Sequence, residues 1–249
     1  MNKIPFILSV SMLLIQSCSS LYMPNVPNTP MLSKKDEVHA SASLSLKGNF
    51  SFNTAYAFSD HWAALLNASV TDQNRTKKEF SHNLLETGAG YFTTFGNNKD
   101  RILEIYAGLG MGNSERNYLT NTSNGMVIYE AQEIRFGKTF LQVNYSSKKK
   151  KDLNLFGSSF PLNYGTALRI SHVSSNQFLI NKSEQLNEDN IFFEPVFFTR
   201  MALNNMLQLQ YIGGSNFGLK NRKFLTAGNS IMSIGLVMNL GWNNRYKED

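Results

Sequence analysis

The sequence predicts an all-β protein: an up-and-down antiparallel β-barrel of about ten strands that turns its apolar face outward to lipid. Three observations carry this. From Val38 onward, apolar and small polar residues alternate with period two in one segment after another, the pattern of strands with two unlike faces. No stretch beyond the first 15 residues is a candidate spanning helix, so a membrane crossing would have to be made by strands that close on one another. The face opposite the apolar one is rich in Ser, Gly and Asn and carries only isolated charges. A small, weakly charged face suits a narrow lumen, whereas a water-washed sheet would carry many Lys and Glu.

The first 17 residues read as a secretion signal. Lys3 supplies a basic start, residues 4–15 are apolar apart from Pro5, Ser9 and Ser11, and Gln16-Ser17-Cys18 follows. Residues 4–15 are too few to span a bilayer, which takes roughly 20 apolar residues. Cys18 is the only cysteine and so has no disulfide partner within the chain. Leu14-Ile15-Gln16-Ser17-Cys18 resembles the lipobox of bacterial lipoproteins, with Ile15 where the family prefers Leu. The resemblance implies that Cys18 is acylated and becomes the first mature residue, and Ser19 after it implies release to the outer membrane. Removing residues 1–17 from the 249-residue chain leaves 232, with 23 basic and 18 acidic side chains and a balance of +5. That is ample for one all-β domain. The charge is too small and too scattered for a nucleic-acid partner, though it suits a surface near anionic headgroups.

Residues 18–37 read as an acylated tether. Pro24, Pro27 and Pro30 alternate with Asn25, Asn28 and Thr29, and Lys34-Lys35-Asp36-Glu37 closes the segment, a composition that predicts a semi-stiff extended spacer. The barrel follows over 38–242. Val38, Ala40, Ala42, Leu44 and Leu46 oppose His39, Ser41, Ser43 and Ser45. After a turn at Lys47-Gly48, Phe50 to Phe58 repeats the alternation; after Ser59-Asp60-His61, Trp62 to Val70 does so again. Residues 71–82 are polar and read as a long loop. Leu85 to Phe95 and Leu103 to Met111 form two further strands around the turn-rich Gly96–Asp100, and 113–125 read as another long loop.

Between Met126 and Ser147 the pattern is less regular. Thr139, Leu141, Val143 and Tyr145 form an outer face, but the same phase carried back puts Glu133 and Arg135 on it. Either that part lies beyond the membrane, or a bulge near Gly137 resets the phase. Lys148–Lys151 read as a basic turn. Strands are predicted around Tyr164–Ile170, Phe193–Arg200, Met206–Tyr211 and Met232–Trp242, with long loops at 174–190 and 213–228 and a charged tail over 243–249. An even strand count returns both barrel ends to one rim, the periplasmic one in bacterial barrels. On that basis the lysine run belongs to the periplasmic rim, and the acyl chains of Cys18 are expected in the inner leaflet. Aromatic residues at strand ends (Phe58, Trp62, Phe95, Tyr145, Tyr164, Tyr211, Trp242) suit interfacial girdles.

The Cys18 lipobox, the Pro/Asn tether, Tyr56-Ala57-Phe58-Ser59, Gly108-Leu109-Gly110, Phe193-Glu194-Pro195 and the aromatic-ended last strand resemble uncharacterised outer-membrane β-barrel lipoproteins of Gram-negative bacteria. The resemblance covers most of the mature chain and brings no established activity with it.

Five charges fall on the inward phase: Glu86, Glu104, Arg169, Glu194 and Arg200. Buried charges must be paired, so they predict a lumen polar network, read either as a plug of ion pairs or as a constriction that selects solutes. Histidines 39, 61, 82 and 172 show no metal-ligand spacing, and no Gly-x-Ser-x-Gly element accompanies them. The expectation is therefore no enzyme activity, no cofactor and no metal. The expected protein is held in the outer membrane by acylated Cys18 and by its barrel surface, with a structural or surface role or that of a narrow pore. The alternative is a periplasmic lipoprotein with a lipocalin-like barrel that binds an apolar ligand.

Overall fold

The computed structural model describes residues 20–123, 125–155, 157–226 and 230–241, without the side chains of 149 and 150. Cys18, the signal stretch, Trp242 and the charged tail lie outside the described residues. In chain order the strands are β1 (Val38–Ser45), β2 (Asn49–Ala57), β3 (Trp62–Arg75), β4 (Lys78–Phe95), β5 (Arg101–Thr122), β6 (Gly125–Leu155), β7 (Ser158–Ile180), β8 (Ser183–Glu184), β9 (Asp189–Ala202), β10 (Leu207–Gly214), β11 (Phe217–Gly218) and β12 (Ile231–Leu240). The fragments β8 and β11 have two residues each. The other ten form a closed, all-antiparallel, up-and-down barrel. Closure is made by β12 on β1, from Val38↔Leu240 to Ser45↔Ser233. The predicted fold class is the one observed.

The alternation fixes which side chains face where. Leu44, Phe52, Leu66, Leu85, Leu109, Leu141, Ile170, Phe197 and Leu236 stand on the outer surface, and all are exposed. Ser41, Asn53, Asn67, Glu86, Glu104, Gln142, Arg169, Glu194 and Arg200 face the lumen and are buried. This is the inverse of a soluble barrel, which keeps its apolar residues inside. A lipocalin-like barrel keeps an apolar interior open for a ligand; here the lumen holds buried charges and amides together with apolar clusters, and it is filled by the chain itself. Phe58, Trp62, Phe95 and Tyr145 are exposed close to one rim. Tyr211, expected at a strand end, instead sits inside β10 opposite Thr199 and Ile234.

That rim carries connections 58–61, 96–100, 156–157 and 203–206, together with the start of β1 and the end of β12. It is called here the short-turn rim. The opposite, loop rim carries 46–48, 76–77 and 123–124 and the two longest connections, 181–188 and 215–230. Several expected loops are strand instead. Residues 71–82 and 113–125 lie largely in β3, β4 and β5, which pair as far as Arg75↔Lys78 and Lys78↔Tyr118, and β7 continues to Ile180. The reason is physical. Alternation is written only where a strand has an exposed apolar face and an opposite face turned to the lumen, and the strands run on past that belt. The backbone ladder still satisfies its own N–H and C=O groups there, so pairing outlasts the pattern. Glu133 and Arg135 do point outward from this extension and are exposed. The phase of β6 is not reset; the irregularity lies opposite, where Arg135↔Gln177 is followed by Phe136↔Ser175 and Asn176 bulges from β7. The lysine run is likewise no turn. It belongs to β6 on the short-turn side, with a register shift between Ser147 and Lys151, and pairing with β7 runs on to Leu155↔Ser158.

The largest departure concerns the expected spacer. Residues 20–32 do not lie outside the barrel; they run through its lumen, and every one of them is buried.

Candidate functional site in the filled lumen

A segment laid inside a barrel without sheet partners must satisfy its backbone by other means. Pro24, Pro27 and Pro30 have no N–H to satisfy, and Asn25, Asn28 and Thr29 between them supply and accept hydrogen bonds at the wall. The wall mixes small inward residues, such as Ser41, Ser43, Ser51 and Ser69, with large ones such as Phe140 and Arg169. Gly108 makes room for the Phe140 ring: a Cβ there would stand 2.4 Å from Phe140 Cζ and 2.4 Å from Thr87 O.

Near the loop rim, Leu21, Tyr22 and Met23 join a buried cluster with Phe80, Leu84, Phe136, Phe178, Phe192 and Leu225. Leu21 N donates to Phe224 O of the 215–230 loop at 2.9 Å, and Arg116 Nη2 donates to Ser20 O. Near the short-turn rim, Leu32 packs with Ala57, Ala63, Phe92 and Tyr106. Ser33 N and Oγ then donate to the Glu37 carboxylate at 2.6 and 2.9 Å. Backbone bonds from Asp36 N to Ala57 O and from Ala57 N to Glu37 O lead the chain into β1.

Between these ends lie the charges. Lys138 Nζ is 2.8 Å from Glu86 Oε1 and 3.7 Å from Glu194 Oε1. Arg169 Nη1 is 3.3 Å from Glu86 Oε1 and 3.8 Å from Glu194 Oε2, and its guanidinium carbon lies 4.9 Å from the centre of the Phe140 ring. Two cations therefore balance two carboxylates in a fully buried cluster. The segment adds to it: Tyr22 OH donates to Glu194 Oε1 at 3.1 Å, and Asn25 Nδ2 to Glu86 Oε2 at 3.4 Å and to Asn53 Oδ1 at 3.0 Å. Asn28 Nδ2 donates to Asn67 Oδ1 and to Thr54 O, both at 2.8 Å.

The other two sequence-predicted charges stand apart from that cluster and hold the segment directly. Arg200 donates through Nη2 to Thr29 O and, at 3.0 Å, to Thr29 Oγ1. Its Nη1 reaches Pro30 O at 3.4 Å and its Nε reaches Gln210 Oε1 at 2.6 Å. Glu104 accepts from Leu32 N at 3.0 Å, Tyr106 OH at 3.1 Å and Asn144 Nδ2 at 3.0 Å. The five expected residues thus divide into an ion cluster (Glu86, Arg169, Glu194) and two clamps (Glu104, Arg200). Lys138 was missed, although it lies on the inward phase of β6, one residue before the predicted outer position Thr139. Tyr22, Asn25 and Asn28 were missed because their segment read as a spacer. The signal for them is the apolar content between the prolines: Leu21, Tyr22, Met23, Val26, Met31 and Leu32 are too many for a solvated linker.

The histidines do not converge. His39 Nδ1 contacts Asn239 Oδ1 at 2.9 Å, and His82 Nδ1 contacts Ser114 Oγ at 2.7 Å. The Ser114–His82 pair is buried between Phe80 and Phe136, with Tyr22 of the inserted segment edge-on to the histidine. His172 is at the loop rim, where Asp189 gathers His172 Nε2 at 3.2 Å, Arg222 Nη2 at 2.9 Å and Lys220 Nζ. Neighbouring Glu188 accepts from Phe224 N at 3.0 Å and Leu225 N at 2.8 Å. Together these two carboxylates latch the 215–230 loop over the mouth.

The Lys220 ammonium first, then His172 and Arg222, hold the Asp189 carboxyl well below the usual carboxylate range. A depressed folded-state pKa gives stability that is present above the unfolded value, about 4, and is lost as pH falls through the folded one. The amides of Leu219 and Lys220, bonded to Ile191 O and Asn190 Oδ1 beside these ion pairs, are therefore expected to keep their hydrogen-exchange protection at pH 5 and to lose it progressively below pH 4, after correction for intrinsic rates. Asp189→Asn should show the weakened protection already at neutral pH.

The geometry defines a closed ten-stranded antiparallel barrel whose lumen is occupied by its own N-terminal segment. No protein-family model and no curated protein matches the chain. Among solved structures it is similar to a chain of the FpvAI–pyocin S2 complex, at TM-score 0.25 and 11% identity over 85% of this chain and 42% of that one. It is also similar to the pyoverdine outer membrane receptor FpvA from Pseudomonas aeruginosa PAO1 bound to pyoverdine, at TM-score 0.24 and 11% identity over 86% and 45%. The chain spans less than half the length of either, and a likeness at this level carries no argument about what it does.

Proposed function

We propose that the protein is a lipid-anchored outer-membrane β-barrel with a structural or surface role, closed to solutes by residues 20–32 and without enzyme activity. The observation that carries the reading is the pairing of an exposed apolar belt with a lumen that holds a buried ion cluster and is filled by residues 20–32. The belt is a surface for lipid tails. The filled lumen argues against a standing pore, since Glu86, Glu104, Lys138, Arg169, Glu194 and Arg200 are engaged by one another or by the segment. The lipobox-like stretch ending at Cys18 supports an acyl anchor, and Ser19 supports an outer-membrane destination. The partners implied are lipids, met by the acyl group and by the barrel wall.

Heat-modifiable migration tests the barrel part. The unboiled protein is expected to run apart from the boiled one on denaturing gels and to stay in the membrane pellet in alkaline carbonate even as Cys18→Ala. A single band in both conditions, with release of Cys18→Ala into the supernatant, would point to a soluble barrel held only by its lipid.

A further inference from the structure

We infer that the N-terminal segment crosses the membrane inside the barrel, so that acylated Cys18 stands on the cell-surface side with its acyl chains in the outer leaflet. This rests on the outer-membrane residence and the lipid anchor proposed above. It reverses the expectation that the anchor enters the inner leaflet, which held only while 18–37 was a spacer outside the barrel.

Both ends of the segment are placed by contacts of opposite rims. Ser20 meets Arg116, in the part of β5 that runs on to the loop rim, and Leu21 is bonded to Phe224 of the 215–230 loop. Leu32 is bonded to Glu104 near the start of β5, and Lys35 N reaches Asp60 Oδ1 in the 58–61 turn at 3.3 Å. Thirteen extended residues reach up to ~40 Å, enough for a hydrocarbon core of about 30 Å. Val38 therefore begins the barrel on one side of the membrane, and Ser20 lies on the other. Cys18 is only two peptide units ahead of Ser20, at about 3.8 Å each.

The assignment of sides follows from the rims. Long connections mark the outer face of bacterial barrels and short turns the periplasmic one, and the two longest here, 181–188 and 215–230, share the loop rim. The lumen is too full to let a lipid slide through. The wall must then close around the segment with the acylated end already on the far side.

Antibody binding to intact cells tests this with one epitope at a time, placed between Ser19 and Ser20, after Asn221 in the long loop, or after Asn98 in a short turn. Each version is checked for folding by its heat shift. The expected result is binding at the first two sites on intact cells, and at Asn98 only after permeabilisation. If the first insertion prevents folding, Ser19→Cys labelled with a membrane-impermeant maleimide gives the same readout.

An exposed loop epitope with a hidden N-terminal one would overturn the threading. An exposed Asn98 epitope with the other two hidden would show the barrel inverted and overturn the leaflet assignment. All three hidden, in protein that shows no heat shift, would instead remove the outer-membrane reading underneath. Incorporation of labelled palmitate into the parent but not into Cys18→Ala is expected; no incorporation into either would remove the anchor while leaving the threading to stand on the epitope result.

Discussion

Deleting residues 20–32 is expected to turn a silent barrel into a conducting one. Purified parent protein in planar bilayers should give no discrete conductance steps, and the deletion, with its heat-modifiable migration retained, should give them. The reasoning is geometric. Barrel diameter grows with strand number, and about eight strands leave an interior that side chains just fill. Ten strands with small residues such as Ser41, Ser43, Ser51 and Ser69 on part of the inner wall leave space for one further peptide, and residues 20–32 take it. Without the segment, Glu104 and Arg200 lose the partners that clamp it, and Glu86 and Glu194 lose the Asn25 and Tyr22 bonds. Polar groups without partners recruit water. A deletion that remained silent while folded would mean that the wall itself closes the lumen.

The second large effect is expected at Arg169. The Glu86–Glu194–Lys138–Arg169 cluster is balanced as it stands. Arg169→Met leaves two buried carboxylates with one cation and removes the donor to Gln142 Oε1. Breaking a buried ion pair by removing one partner costs about 3–5 kcal/mol, so the midpoint of urea unfolding should fall well below the parent's. Adding Glu194→Gln to the same chain restores the balance and should recover a large part of the loss. Independent, additive losses in the two variants would show that the cluster does not act as one unit.

The wall of the barrel is legible because its strands carry an exposed apolar face and a lumen face, and that contrast writes period two into segments such as Phe50–Phe58 and Leu103–Met111. Beyond the apolar belt the contrast ends, so β5 from Asn113 to Thr122 reads as loop although its ladder to β6 continues. The inward charges are legible as single exceptions on a Ser/Gly/Asn face. Their division into cluster and clamps is not, because it depends on a segment from another part of the chain lying between them. The segment itself obeys no periodicity. Its bonds are made by side chains to a wall that surrounds it on all sides, and neither a helical nor a strand repeat can record that. What it does record is composition, with prolines that remove donors, asparagines that replace them and apolar residues that fill the remaining space.

A disulfide between the segment and the wall tests this most directly. In Asn28→Cys/Asn67→Cys, made in the Cys18→Ala background, the two side chains replace a pair in direct contact inside the lumen. The filled-lumen structure predicts that mild oxidation of the folded protein joins them, removing both free thiols and leaving nothing for a water-soluble maleimide to label. Two thiols that stay reduced and label freely in the folded barrel would place residue 28 outside the lumen and contradict it.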